Sequence, residues 1–480
     1  MKMHRKIIAL LLSSLLLAGG TLGALAADNG VKRISCSMYG DGAGGRGFCW
    51  FTENKAGSDL QLIKTADFDG SFANAKSYSG KATLYRGQYS HQVSVTDLEP
   101  GAAYTYRVGD AAANEWSEAC SFVTDDKDDS FSFITIADVQ ASSDENFAHA
   151  AKTMQAAADT LPGAEFCVNL GDYVNDNTND EWDWYFKNFA FANNRMTHVP
   201  VAGNHDGNIT NKLNTNCFKN TFCLDESENR SIEGVYYSFD YGNAHFAVLN
   251  TNDMYPMSAA QRNWLINDMN GSDAMWKVLL MHRSLYSAGK NINKPDTVAM
   301  RNDLLPLIDT LDIDLVLSGH DHMYMRTKQV KAEKAVEDIT YVTESFHGEE
   351  TSFAVDPDGT CYIIPSTAGT KRYVINDNAM PPIHDVAAVE YSTRDMGGCF
   401  ATVQIEGGKL VFNAYVVNDD TGETSLIDSY AIKKTAAGES GGTKRDQSFA
   451  ATIYSYPFNL MKALAQMFIS YFKLLFSLMK

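Results

Sequence analysis

Residues 315–326 read LVLSGHDHMYMR, and this stretch decides the fold. Its first four residues form an apolar run as long as a buried strand, and a glycine, an aspartate and two histidines follow at once. Four other short apolar runs also lead into Asp, Asn or His. Because ligands bind beyond the carboxyl ends of strands in open α/β sheets, these side chains are expected to converge. The five segments read ADVQ at 137–140, GDYVND at 171–176, GNHD at 203–206, MHR at 281–283 and GHDH at 319–322.

From residue 131 onward, short apolar runs alternate with stretches of helical periodicity, which is typical of an α/β domain. Further β-structure is predicted near its end, at Cys361–Pro365, Phe400–Ile405 and Leu410–Val417. The earlier predicted strands are Phe131–Ala137, Glu165–Leu170, Val199–Ala202, His245–Leu249, Trp276–Met281 and Leu315–Ser318, and the predicted helices include Asn146–Thr160 and Ala259–Met269.

Residues 28–126 have the pattern of an all-β module, with short strands separated by glycine-rich turns. The segment LEPG at 98–101, followed by Tyr104, resembles the end of a fibronectin type III module, in which Tyr104 would be the corner tyrosine of a β-sandwich. The acidic stretch 124–130 predicts a linker to the next domain. The predicted strands here are Gly47–Thr52, Lys81–Leu84, His91–Val95 and Tyr104–Val108.

The two ends of the chain have their own signatures. Residues 1–26 have a basic start, an apolar run and a small-residue end, which predicts a signal peptide and export; an uncleaved membrane anchor is the alternative. Residues 435–448 are rich in Gly, Ser and charge, which predicts a flexible linker. Residues 449–480 predict an amphipathic helix. Its segment 460–480 could contact a membrane surface, a partner or the body of the protein.

Charge and cysteine content narrow the functional classes. The formal net charge is −19, and cleavage after residue 26 would make it about −22. This acidity argues against general nucleic-acid binding, although a bound metal can still attract a small anion. None of the eight cysteines has the paired spacing of a zinc site. In an oxidising compartment Cys217 and Cys223 are the best candidates for a disulfide.

The five segments offer carboxylate, amide and imidazole ligands but no thiolate, a set suited to Zn, Mn or Fe. Taken alone, each segment has a simpler explanation. A Gly-Asp pair is common in turns, GNHD could be a turn with a left-handed asparagine, and His282 could be a hydrogen-bonded core histidine. The ordered set of five is what indicates a metal centre.

In that order the segments resemble the calcineurin-like metallophosphoesterase superfamily. With the β-module in front, residues 33–430 look most like the purple acid phosphatases and their bacterial relatives. The motif after residue 319 continues to Tyr324 and Arg326 as in that family. The resemblance implies a fibronectin type III-like sandwich followed, at 130–434, by an α/β domain of two packed mixed sheets flanked by helices.

The resemblance also implies roles for individual residues. Two divalent or mixed-valence ions would be held, and a hydroxide between them would attack the phosphorus of a small phosphate ester. His205 would assist by stabilising the transition state or protonating the leaving group. Asp206 would orient His205 or only shape the turn, and Arg283 is a weaker candidate for phosphate contact. The implied ligands are Asp172 as the bridge, Asp138, His322 and Gln140 for one ion, and Asn204, His282 and His320 for the other.

Two positions depart from the family pattern. The first motif is often Asp-x-His, and here its third position is Gln140, whose carbonyl oxygen is a weaker donor or could bind a water instead. The purple enzymes place a tyrosine three residues after the bridging aspartate, and here that position is Asn175. We therefore expect no tyrosinate–iron colour, and we expect the ion held by Asp138 to be the more exchangeable one.

A phosphomonoesterase is the function that these residues favour. The first alternative is a phosphodiesterase acting on nucleotides or lipid head groups. The second is a cell-surface binding or adhesion protein with a structural metal site.

Overall fold

The computed structural model describes residues 30–207, 216–225, 235–253, 257–379 and 381–435. The fold below belongs to the unit Met1–Lys434. The predicted signal peptide at 1–26, the helix at 449–480 and all but the first residue of the linker at 435–448 lie outside the described residues. Among the residues that are described, no helix is long and apolar enough to cross a bilayer.

The N-terminal module is a β-sandwich, as the sequence predicts. Its corner tyrosine is confirmed, because the Tyr104 hydroxyl accepts a hydrogen bond from the Glu99 N–H at 3.0 Å. Trp50, Tyr106 and Phe122 fill the space between its sheets. The strands are β1 Lys32–Met38, β2 Arg46–Thr52, β3 Asp59–Lys64, β4 Lys76–Ser79, β5 Lys81–Tyr85, β6 Gln88–Val95, β7 Ala103–Asp110, β8 Glu115–Trp116 and β9 Cys120–Val123, with a 3₁₀ turn at Thr65–Asp67.

The strands after the linker form the α/β domain, and the predicted runs lie within a few residues of observed strands. They are β10 Ser130–Ile136, β11 Phe166–Asn169, β12 Thr197–Pro200, β13 Tyr237–Tyr241, β14 Ala244–Val248, β15 Trp276–Arg283, β16 Leu315–Gly319, β17 Tyr324–Thr327, β18 Val330–Lys331, β19 Lys334–Ala335, β20 Thr340–Phe346, β21 Glu349–Val355, β22 Cys361–Pro365, β23 Ala387–Tyr391, β24 Gly398–Glu406, β25 Lys409–Val417 and β26 Thr424–Lys433.

The helices begin where the sequence supplies side-chain caps. The Ser143 hydroxyl accepts from Asn146 N–H at the start of the first helix, and Thr178 and Glu181 form a capping box at the start of the second. Each cap satisfies backbone donors that a helix start would otherwise leave unpaired. The helices are α1 Asp144–Thr160, α2 Asn179–Asn188, α3 Ala190–Asn193, α4 Asn216–Thr221, α5 Ala259–Gly271, α6 Pro295–Ile308 and α7 Pro381–Val386.

Two mixed sheets make up the α/β domain. One has the order β13-β14-β15-β16-β22-β17-β23, and the other contains β24-β10-β11-β12. Aromatic rings join them: Phe166 lies with its ring centroid 5.8 Å from Phe246 and 6.1 Å from Phe239. Helices cover the outer faces, so that four layers place two sets of parallel strand ends at the same edge.

The sandwich is not a free-standing domain. Strand β1 pairs in parallel with β12, at Ser37 and His198, so one sandwich sheet continues the sheet of β24-β10-β11-β12 into twelve strands ending in β12-β1-β2-β6-β5. The sequence predicts a separate module joined by a linker at 124–130. The structure instead buries Thr124 and Asp125, and the Asp125 carboxylate accepts from the Gly242 N–H at 3.0 Å. The two modules therefore share one hydrogen-bonded framework.

A buried arginine fastens this junction. The Arg46 guanidinium donates from Nε to Thr197 Oγ1 at 3.0 Å and from its terminal nitrogens to the carbonyl oxygens of Gly42, Gly45 and Val123 at 2.6–2.8 Å. Complete burial lowers the pKa of Arg46. A buried guanidinium is tolerated here because each nitrogen has an acceptor.

The predicted Cys217–Cys223 disulfide is wrong, and all eight cysteines are buried thiols. The two residues face different parts of the core. Cys217 lies in α4, with its Sγ 3.9 Å from Thr221 Oγ1. Cys223 packs with Cys49 and Phe51 against the sandwich, where its Sγ lies 3.8 Å from a β6 carbonyl oxygen.

We expect Arg46→Met to lower the free energy of unfolding by about 2–4 kcal/mol, since three carbonyl oxygens and a hydroxyl lose their buried donor. Urea unfolding followed by circular dichroism and tryptophan fluorescence measures this loss. Because the two modules share a sheet, both probes should shift together. Arg195→Met, an exposed arginine just before β12, is the control. An Arg46 variant as stable as the control would contradict the junction's importance.

Candidate metal centre

The candidate ligands lie at five strand ends, as the sequence predicts. Asp138 follows β10, Asp172 follows β11 and Asn204 follows β12, whereas His282 lies near the end of β15 and His320 follows β16. The two sheets thus contribute ligands to the same place. Several of these residues have left-handed backbones, with φ angles of 51° at Asp138, 55° at Asp172 and 73° at His320. Such conformations are uncommon outside glycine and concentrate at functional sites.

Two groups of side chains are close enough to hold a cation each. Asp172, His282 and His320 offer ligand atoms within 4.8 Å of one another, and Asp138, Asp172 and His322 do the same. Asp172 belongs to both groups. His282 Nε2 is 3.3 Å from Asp172 Oδ2, and His322 Nε2 is 3.3 Å from Asp138 Oδ1. Asp172 is therefore the residue that could serve both groups if each held an ion.

The amide candidates lie beside these groups. Asn204 Oδ1 is 3.1 Å from His282 Nε2, which puts it in the group of His282 and His320. The N–H of Gln140 donates to the carbonyl oxygen of Asp172 at 2.8 Å. The side-chain oxygen of Gln140 is buried and accepts no hydrogen bond from any residue that the structure describes. An orphaned acceptor at this position fits a ligand to a cation or to a bound water.

Backbone carbonyl groups set the tautomers of two ligand histidines. His282 Nδ1 donates to the carbonyl oxygen of Leu170 at 2.8 Å, and His322 Nδ1 donates to that of Lys371. With the proton held on Nδ1, each Nε2 presents a lone pair to the centre of the site. Such outer contacts are what orient metal-binding histidines.

The electrostatics of the buried cluster favour positive charge between its carboxylates. Burial alone would lower the pKa of His282, but Asp172 and Asp138 raise it to about 9. Burial opposes ionisation of Asp172, yet the facing histidines, His282 foremost, lower its pKa. Burial and the charge of His282 lower the pKa of His320. These shifts favour an ionised Asp172 and a neutral His320, as metal ligands require.

The Asp206 carboxylate organises the loops behind the bridge. Its oxygens accept from the backbone N–H groups of Asp172, Tyr173 and Gly203 at 2.8–2.9 Å. Burial and the charge of Asp172 raise the pKa of Asp206 to about 7. These contacts support the turn-shaping role that the sequence left open for Asp206, because the His205 imidazole bonds elsewhere.

His205 stands directly beside the bridging carboxylate. Its backbone N–H donates to Asp172 Oδ1 at 2.7 Å, and its ring Nδ1 donates to the carbonyl oxygen of Asn175 at 2.5 Å. The ring is therefore fixed with Nε2 available for proton transfer. Its loop is braced from the sandwich, because Arg86 in the β5–β6 turn donates to the carbonyl oxygen of Asn177, and Asn177 donates to that of Gly207.

Arg283 has a carboxylate partner of its own. Its guanidinium forms an ion pair with Asp296 in the first turn of α6. Arg283 thus lies next to the candidate ligand His282, but part of its guanidinium is already bound by Asp296.

Tyr324 and Arg326, which extend the fifth motif, both bind Asp428 of β26, with contacts of 2.6 Å, and so join the two sheets.

The other described histidines have partners or surroundings away from the centre. His198 is buried in the core, where burial lowers its pKa to about 4. The others bind neighbouring side chains: His91 with Thr52 and Ser58, His149 with Asp419, His245 with Asp240 and Asp268, His347 with Glu406, and His384 with Glu390.

Sequence reasoning missed the loop that follows β22. Tyr373 from this loop stacks on the ligand His322, with ring centroids 4.4 Å apart and planes at 13°. Lys290 Nζ lies 3.7 Å from the centroid of the Tyr373 ring. The signal that could have indicated this loop is the apolar run of β22, a further strand that pairs in parallel with β16 and so ends beside it.

Two family models match this chain. Residues 131–324 match the calcineurin-like phosphoesterase family, and residues 32–124 match the purple acid phosphatase N-terminal domain. The first covers all the candidate ligands, and the second covers the strands of the sandwich.

Individual relatives are distant. An uncharacterised protein of Mycobacterium tuberculosis is 27% identical over 210 residues, which are 40% of this chain and 37% of that protein. The chain thus spans well under half the length of this relative. Acid phosphatase type 7 of Danio rerio is 22% identical over 396 residues, or 76% of this chain and 82% of the relative.

A solved structure shares the fold. The purple acid phosphatase from yellow lupin (Lupinus luteus) seeds superposes with a TM-score of 0.67 at 15% identity, covering 85% of this chain and 75% of that one. The chain therefore carries a purple acid phosphatase N-terminal domain followed by a calcineurin-like phosphoesterase domain, and the lupin structure shares the fold.

Proposed function

We propose that this protein hydrolyses phosphate monoesters with two metal ions bound between Asp138 and His322. The observation that carries the proposal is the sharing of Asp172 between two groups of ligands at the common edge of the sheets. A centre with one structural ion would not need a carboxylate in that position. The family of the catalytic domain supports the same chemistry.

The residues present fit a pair of ions. Asp138, His322 and Gln140 would hold one ion and Asn204, His282 and His320 the other, with Asp172 common to both. Imidazole, amide and carboxylate donors suit Zn, Mn or Fe. When bound, the two ions would supply Lewis-acid charge for the phosphoryl oxygens and lower the pKa of a water near the bridge.

The protein's own groups would complete the reaction. His205, with its Nδ1 proton held by a carbonyl oxygen, can carry a second proton on Nε2 and give it to the leaving oxygen. Asp206 would hold the loops of Asp172 and Gly203 in fixed positions while negative charge develops on the phosphoryl group and the leaving oxygen. The buried ligand cluster limits access of bulk water, so each fixed charge acts in a low dielectric.

Two other functions remain as alternatives. A phosphodiesterase would use the same centre and differ only in the second ester group, so bis-p-nitrophenyl phosphate separates it from a monoesterase acting on p-nitrophenyl phosphate. A binding or adhesion protein would hold metals without turnover. The complete ligand set and the position of His205 favour the enzyme.

Residues 1–26 support export of the protein, and the apolar tail at 460–480 supports a contact with a membrane surface, a partner or the protein body. Export is tested by locating the mature N-terminus in the purified secreted protein.

Asp172→Asn should abolish hydrolysis of p-nitrophenyl phosphate, with a loss of about 10³-fold or more, because the bridge loses charge and both ions bind more weakly. Metal analysis of the purified variant should find less than the wild-type content, and exhaustive chelation of the wild type should reproduce the loss. Asp180→Asn, an exposed aspartate in α2, is the matched control. Activity that survives both treatments would exclude the two-metal mechanism.

His205→Ala should lower kcat by about 10²–10³-fold while the metal content stays the same. The loss should be greater for an alkyl phosphate than for p-nitrophenyl phosphate, because a poor leaving oxygen depends more on protonation. His149→Ala, at an exposed ion pair on α1, is the control. Loss of metal in parallel with activity would instead make His205 a structural residue or a ligand.

The iron-loaded protein should have no tyrosinate charge-transfer band in visible absorption. Tyr173 packs against Trp182, Tyr185 and Phe222 with its hydroxyl buried among them. At the family's tyrosine position, the side chain of Asn175 donates to Asp176 instead. A visible band that disappears in Tyr173→Phe would contradict this assignment.

A further inference from the structure

We propose that Lys290, whose ammonium lies over the ring of Tyr373, and Lys371, two residues before Tyr373 in the same loop, form an anion subsite beside the metal centre. It would bind a second anionic group, a phosphate or a carboxylate, carried by the leaving part of the substrate. The inference rests on the proposed function in one respect, because the first phosphate is taken to bind at the ions.

The subsite adjoins the ligands directly. Tyr373 stacks on His322, and the ammonium of Lys290 lies 3.7 Å from the centroid of the tyrosine ring. Burial and the carboxylates of Asp138 and Asp321 raise the pKa of Tyr373, so its hydroxyl lies within electrostatic reach of the ligands. A ligand, an aromatic ring and an ammonium therefore follow one another outward from the centre. The cation–π contact keeps the ammonium over the ring.

The backbones of both lysines are fixed to the ligand loop. The carbonyl oxygen of Lys371 accepts from His322 Nδ1, and the N–H of Tyr373 donates to the carbonyl oxygen of His322 at 2.8 Å. On the other side, Asn291 Nδ2 donates to Asp321 Oδ1 at 2.8 Å. Lys290 is adjacent to Asn291, so each lysine is at most one residue from a direct contact with residues 320–322.

The two ammonium groups of this subsite are exposed, and within the described ranges neither has a carboxylate at ion-pair distance. Partial burial and the charges of Lys371 and Lys294 lower the pKa of Lys290, against the opposing charge of Asp321. The neighbouring arginines differ, because Arg372 pairs with Asp419 and Arg283 with Asp296. In a chain of net charge −19, unpaired like charges beside a catalytic centre indicate an anion that they bind.

The arrangement selects a chemical class of substrate. An ester whose leaving group carries a phosphate or carboxylate could place that charge between the ammonium groups while its reacting phosphate lies at the ions. A leaving group without charge would gain nothing from them. Because the lysines are exposed, the gain should be modest and sensitive to salt.

The experiment compares two phosphonates that are not hydrolysed. 3-Phosphonopropionate carries a carboxylate, whereas propylphosphonate has the same chain length and an uncharged end. Calorimetric titration of the full-length, metal-loaded protein gives the affinity for each. The wild type should bind 3-phosphonopropionate about five- to tenfold more tightly at low ionic strength, and added salt should reduce the preference.

The double variant Lys290→Met/Lys371→Met should reduce that preference to about twofold or less, with propylphosphonate affinity unchanged. Lys290→Arg should retain it, and Lys152→Met, an exposed lysine on α1, is the neutral control. A preference that is absent from the wild type, or unchanged in the double variant, overturns the subsite. Failure of the proposed function would appear separately, as no hydrolysis of p-nitrophenyl phosphate whatever the phosphonates do.

Discussion

The structure depends on one buried carboxylate, that of Asp206. It binds three backbone N–H groups from the loops after β11 and β12, and so fixes the bridging residue Asp172 from behind. Gly203 allows this closeness, since a Cβ atom there would lie 2.1 Å from the Asp172 nitrogen. Each candidate ligand residue with a left-handed backbone conformation costs about 1–3 kcal/mol of folding free energy. Hydrogen bonds contribute about 0.5–1.5 kcal/mol each, so the three made by Asp206 offset part of that strain.

A second level of support comes from outside the catalytic domain. The parallel pairing of β1 with β12 makes the sandwich an extension of the sheet in the α/β domain. At this junction Arg46 donates hydrogen bonds to three backbone carbonyl oxygens. From the same sandwich, Arg86 donates a hydrogen bond to the carbonyl oxygen of Asn177. Asn177 lies in the loop whose Asn175 carbonyl oxygen accepts a hydrogen bond from His205 Nδ1. The N-terminal module therefore contributes to the position of His205. This explains why the two modules form a single structural unit.

Much of the site could be predicted from the sequence, because its ligands follow apolar runs and strand ends of parallel sheets meet at one edge. The role of Tyr104 could also be predicted from the sequence, because the turn before it has a local signature. The pairing of β1 with β12 could not be predicted, because periodicity identifies a strand but not its neighbour. For Tyr373 the apolar run of β22 pointed to the loop but not to the residue, because only the fold shows that this ring stacks on His322.

The two halves of the metal centre are chemically unequal, and the local contacts explain why. The Asp138 carboxylate already accepts the backbone N–H of His320 at 2.9 and 3.1 Å, which withdraws electron density from its oxygens. By the proposed assignment each half has one neutral amide oxygen, from Gln140 or Asn204, and the halves differ because Asp138 and His322 serve one whereas His282 and His320 bring two imidazoles to the other. The half containing Asp138 and His322 is also the half beside Tyr373 and Lys290, so the cationic rim would lie on that side of the substrate.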